Sequence, residues 1–236
     1  MGFAAILPWT GLAVIFVLLA GLVGRRRIGL CWTFPLYLGT IALADLLMLA
    51  WPDQFGWQWF WLGKELLITI LRFALALELT YRTVRAFPTA RATVRGVLLG
   101  VLLLTLWIVF AGTGDLSPRE GGTVLGPLIS RVQPLVLFGA IWLLTGIAAV
   151  ILWYRLPVHP LHKAILVGLV PYLLVFTISL NLIESWGWLE VDDFVIFFPT
   201  LAWLLVLGFW ATVVWRPGDV PVRAPAPDPG LHRATG

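Results

Sequence analysis

The chain has 236 residues, of which 60% are hydrophobic and only 12% charged, with a mean hydropathy of +0.95. That composition excludes an ordinary soluble domain, which carries about twice the charged fraction, and points to a lipid bilayer. A net charge of +4 is too modest for a nucleic-acid-binding protein, and the single cysteine, Cys31, leaves no internal disulfide.

Apolar stretches long enough to cross about 30 Å of hydrocarbon recur along the chain. Helical spans are expected near 4–23, 33–51, 58–80, 96–112, 133–153, 164–183 and 194–215. The fold class expected is all-α: a polytopic seven-transmembrane-helix bundle over residues 1–215. A proline-rich tail without period, 216–236, should be disordered and cytoplasmic.

Span 1 has no basic residue before its apolar run, and Arg25, Arg26 and Arg27 follow it. That is the pattern of a retained first helix with its N-terminus outside, rather than of a cleaved leader. Ile6 stands where myristoylation would need serine or threonine. Basic residues recur after span 3 (Arg82, Arg85, Arg91, Arg95), after span 5 (Arg155, Lys163) and at Arg216. The alternate loops hold Asp53, then Asp115, Arg119, Glu120 and Arg131, then Glu184, Glu190, Asp192 and Asp193. Basic loops stay cytoplasmic, so the C-terminus is expected inside and the chain in a bacterial inner membrane, multi-pass. Trp51, Trp57, Trp59, Trp61, Trp186 and Trp188 fall at the expected outer interface, and Trp32, Trp153 and Trp215 at the inner one.

Span 2 (PLYLGTIALADLL, 35–47) resembles span 6 (PYLLVFTISLNLI, 171–183) when Pro35 is laid on Pro171. Asp45 then falls on Asn181. Spans 1–3 and 5–7 would be parallel three-helix repeats joined by span 4, a plan used by small transporters. Chance similarity between leucine-rich helices is the competing explanation.

Span 3 is the unusual one, because it carries Lys64, Glu65, Arg72 and Glu78. At about 100° per residue these fall, with Arg82, within an arc of roughly 140°. A charge at mid-bilayer costs about 2.5–3.5 kcal/mol, so Lys64, Glu65 and Arg72 facing lipid would together cost about 8–10 kcal/mol. The stripe should therefore face the bundle interior. Counting outward from the PDQFG turn (52–56) puts Asp45 and Lys64 at one depth, as an ion pair, with Glu65 as a second carboxylate. Arg72 lies about 12 Å deeper and needs its own acceptor, for which Glu65, two turns above it on the same side, and Tyr37, Thr145 and Thr177 are candidates. Glu78 is within reach of Arg82 or Arg85. The expected site is a ligand or ion cluster of Asp45, Lys64, Glu65, Arg72, Asn181 and Glu184; the competing reading is an ion-pair lock that only fixes helix packing. The run EVDDF (190–194) reads as a solvated cap or a weak cation site.

The histidines, His159, His162 and His232, are all expected in loops or tail, which excludes an intramembrane haem pair. Span 7 lacks a lysine for a retinal Schiff base. No GxSxG, HExxH, phosphate loop or Cys-x-x-Cys is present, so neither catalytic residues nor a metal or cofactor is expected.

The stretch from Trp59 to Arg95 (WFWLGKELLITILRFALALELTYRTVRAFPTARATVR) resembles a set of uncharacterised bacterial seven-helix membrane proteins. Their third helix opens on aromatics and a glycine–acid turn and ends in a basic, proline-bearing loop. They usually have a small or neutral residue where Lys64 stands. The resemblance implies the seven-helix fold and carries no activity with it.

Three functions remain open: a non-enzymatic receptor-like or accessory module; a small transporter or proton-linked carrier; and a structural subunit of a larger membrane complex. Expected partners are the bilayer, anionic lipids at Arg25, Arg26, Arg27, Arg82, Arg85, Arg91 and Arg95, and another membrane protein.

Overall fold

The computed structural model describes residues 3–85, 96, 99–100, 103, 107, 125–153, 158–186 and 188–217. All regular structure among them is helical. Among the described residues are six long helices: α1 (Phe3–Gly24), α2 (Thr33–Ala50), α3 (Gln58–Arg85), α4 (Leu125–Trp153), α5 (Pro160–Trp186) and α6 (Trp188–Trp215). Four stretches within them are long and apolar enough to cross a membrane: Leu7–Gly24, Thr33–Ala50, Pro160–Leu182 and Phe197–Trp215. A shorter apolar segment, Val136–Ala149, lies in α4. α3 is as long as these, but its stripe of charges sets it apart. Most of the expected fourth span, 96–112, and the tail from 218 lie outside the described residues. Of that span, Gly96, Leu99, Gly100, Leu103 and Trp107 are helical and exposed.

The helices run further than hydropathy suggests. α3 continues to Arg85, so Arg82 and Arg85 are helical rather than in a loop, and α4 begins at Leu125, taking in Arg131. α5 includes His162, Lys163 and Glu184, and the acidic run 190–194 opens α6 instead of forming a loop.

Each helix packs on its chain neighbours, and α6 returns to α1, so the six close a ring in chain order. Leu36, Leu43, Ile70, Val167 and Leu205 lie exposed on its outside. Phe34, Tyr37, Leu75, Leu144, Leu173 and Trp210 are fully buried within.

The ring is fastened at one end by the α1–α2 connection. Arg26 has a φ of 52°, a left-handed conformation that favours glycine. The Arg27 amide bonds back to the Leu22 carbonyl at 2.8 Å, so α1 ends in a Schellman-type turn. That turn aims Arg27 at the C-terminus of α6. Its guanidinium donates to the carbonyls of Val213 (3.0 Å), Val214 (3.1 Å) and Arg216 (3.0 Å), and Arg25 donates to Trp215 (3.2 Å). A cation there satisfies otherwise unpaired carbonyls and the negative end of the helix dipole. The ends of α1 and α6 therefore coincide, and the two helices run parallel.

Two tryptophans seat α6 by one shared device. Trp210 donates its indole N–H to the Ala164 carbonyl of α5 at 2.9 Å, and a Cβ on Gly168 would come within 2.5 Å of that nitrogen. Trp215 donates to the Val17 carbonyl of α1 at 3.2 Å, and a Cβ on Gly21 would lie 2.9 Å from its nitrogen. In both cases the glycine sits one turn after the accepting carbonyl and leaves room for the ring to reach it.

Candidate functional site

α3 is the polar axis of the bundle, with three stations along it. At its start, Lys64 Nζ lies 3.5 Å from Asp45 Oδ1 of α2, with the lysine side chain 13% exposed and the aspartate 34%. The hairpin closed by residues 52–56 puts these two level, as the count from the turn predicts. Glu65 is half-buried, next in sequence to Lys64.

At the middle of α3, Arg72 is only 3% exposed. Its hydrogen bonds go to hydroxyls: Nε donates to Tyr37 of α2 at 3.5 Å and Nη2 to Tyr172 of α5 at 3.4 Å. Both are long, which marks them as weak. The guanidinium carbon lies 4.8 Å from the centre of the Phe176 ring and 5.7 Å from that of Tyr172. Trp203 of α6 packs on Tyr172 at 4.8 Å between centroids and edge-on to Tyr37 at 6.1 Å. The aromatic faces supply cation–π attraction in place of water. Arg72 Nη1 is buried with no hydrogen-bond partner, as are the hydroxyls of Thr69 and Thr177.

At the inner station, Glu78 accepts from the amides of Trp32 (3.0 Å) and Thr33 (2.8 Å), from the Thr33 hydroxyl (2.6 Å) and from Cys31 Sγ (3.4 Å). Trp32 gives α2 no side-chain cap, so a carboxylate from α3 caps that helix from outside. Arg82, one turn on, pairs with Glu78 at 2.6 Å and donates to the Gly29 carbonyl at 3.0 Å. His162 is buried in the first turn of α5, not in a loop, and its Nε2 donates to the Leu30 carbonyl at 2.8 Å. His159 Nδ1 accepts from the Leu161 amide.

Of the six residues of the expected cluster, Asn181 stands apart. Asp45 and Lys64 are paired, and Glu65 and Arg72 share the interior. Asn181 is exposed and donates to the Thr177 carbonyl of its own helix at 3.0 Å, because that turn of α5 presents it outward. Glu184 lies in the last turn of α5, and its side chain is outside the described residues. Of the acceptors proposed for Arg72, Tyr37 serves, Thr145 is exposed on α4, and the Thr177 hydroxyl is buried with no partner. Tyr172, Phe176, Trp203 and Thr69 escape a reading based on charge, since aromatics and threonines in a leucine-rich span look like ordinary core. The one available signal is a phenol buried after Pro171. No protein-family model, curated protein or solved structure matches the chain.

Proposed function

We propose that this chain is a seven-span protein of the bacterial inner membrane that works without catalysis as a receptor-like module, holding a small solute in its polar interior. The observation that carries this reading is Arg72. A guanidinium at the middle of a ring of apolar helices, held by two weak hydroxyl bonds, is costly unless something else uses it.

Helix direction supports the seventh span and the orientation. The C-terminal parts of α1, α3 and α6 and the N-terminal parts of α2 and α5 meet at one end, through the Arg27, Glu78, Arg82 and His162 bonds. Only residues 154–159 join α4 to α5, about 20 Å of chain at most, whereas α4 is about 43 Å long. α4 must therefore end where α5 begins, and it runs parallel to α3. That direction of α4 supports a further span near 96–112, which we propose as the seventh. The shared end gathers Arg25, Arg26, Arg27, Arg82, Lys163 and Arg216, the signature of a cytoplasmic face. Exposed members of that group, with Arg85, Arg91 and Arg95, are the proposed contacts for anionic lipid.

A second reading, a carrier, is favoured by the ring itself. α1–α3 and α4–α6 form its two halves, and Tyr37 of α2 and Tyr172 of α5 reach Arg72 from corresponding helices of those halves. Proteoliposomes separate the two readings. Proton or solute flux that disappears in Glu65→Gln selects the carrier, whereas ligand binding without flux selects the receptor. Cysteines placed at Asp53 and Arg216 in a Cys31→Ser background test the threading: only the first should react with an impermeant maleimide added outside.

A further inference from the structure

Resting on the reading of a solute-holding interior, we propose that the Arg72 centre is a binding site for a small carboxylate with a flat apolar body. The guanidinium presents one N–H-bearing nitrogen, Nη1, with no partner, while Nε and Nη2 are steered by Tyr37 and Tyr172. The hydroxyl of Thr69, three residues before Arg72 on the same helix and 5% exposed, and that of Thr177, the residue after Phe176 on α5, are equally unpartnered. Buried polar atoms are normally satisfied, and unpartnered groups on Arg72 and on Thr69, one turn before it, point to a polar ligand. Two acceptor oxygens in a plane match one free guanidinium nitrogen and a neighbouring hydroxyl better than a spherical ion does. The Phe176 ring, 4.8 Å from the guanidinium carbon, supplies an apolar wall for the rest of the molecule.

The test uses the full chain in detergent, with sodium benzoate as the probe, sodium acetate as the same head group without the ring, and sodium chloride at equal ionic strength as the control. Benzoate should raise the unfolding temperature more than acetate, and acetate more than chloride. Arg72→Lys should weaken benzoate binding by tenfold or more. Thr69→Val should weaken it about fivefold while leaving the unliganded protein as stable or more so, since it removes a buried unsatisfied hydroxyl. Thr69→Val is informative even where changes at Arg72 prevent folding. The proposal is overturned if benzoate stabilises no more than chloride, or if Thr69→Val binds it as the parent does. Benzoate binding without flux supports the site; flux of another solute without benzoate binding removes the site but keeps the membrane reading.

Discussion

Glu78 of α3 and Thr33 of α2 are joined twice through one oxygen, Oε2 accepting the Thr33 amide at 2.8 Å and its hydroxyl at 2.6 Å. A side chain that looks misplaced in an apolar helix is the cap of the helix beside it. Glu78→Ala should lower stability by about 2–4 kcal/mol, because it strands the first amides of α2 and leaves Arg82 unpaired. Glu78→Gln retains a carbonyl acceptor and should lose less. Thermal unfolding of the purified protein in micelles ranks the two, and equal losses would mean the capping geometry contributes nothing.

Gly168 and Trp210 make a second prediction. A methyl at Gly168 must push against the indole that bonds Ala164, so Gly168→Ala should destabilise by about 1–3 kcal/mol. Trp210→Phe keeps most of the packing and loses the hydrogen bond, a cost of about 1 kcal/mol. Combined in one chain, the two should cost less than their sum, because the smaller ring no longer presses on the added methyl.

The Asp45–Lys64 pair is partly exposed, so neither partner should be worth as much as a fully buried charge. Lys64→Met alone leaves Asp45 without its counter-charge and should cost about 1–3 kcal/mol. Adding Asp45→Asn to it should recover part of that loss. A double-mutant cycle showing no coupling would mean that the two groups are held at one depth without stabilising each other.

Cys31 offers a pH readout. Burial pushes its thiol up to about 12, from 9.0. A raised value in the folded chain means that the neutral thiol contributes stability which is complete below pH 9 and is lost as pH climbs towards 12. At pH 8 the folded protein should react with a membrane-permeant maleimide many times more slowly than the unfolded chain. Glu78→Ala, which removes the neighbour that Cys31 Sγ bonds, should speed the reaction. Rapid labelling of the folded parent would contradict the burial of this thiol.

Much of the architecture is legible in the sequence, and the reason is the solvent. Hydrocarbon penalises every exposed backbone group and charge, so composition alone forces helices and turns the Lys64–Arg72 stripe inward. Turn counting likewise places Asp45 opposite Lys64, because a short hairpin leaves little freedom of register. The helices extend past the expected ends where polar residues continue a helix beyond its apolar part, as at Arg82 and in the run 190–194. Hydropathy reports where lipid stops, not where backbone bonding stops.

The sequence by itself determined a helical, membrane-borne chain with basic turns gathered on one side and charge hidden inside, since those outcomes follow from local composition meeting a low dielectric. Tertiary structure alone decided what each hidden group touches: Arg27 on the end of α6, Glu78 on the start of α2, Trp210 over Gly168, and Arg72 against a tyrosine 100 positions away. Those partnerships depend on how whole helices are rotated and slid against one another, and interlocking side-chain shapes across the bundle set that arrangement, which no periodicity within a single helix records.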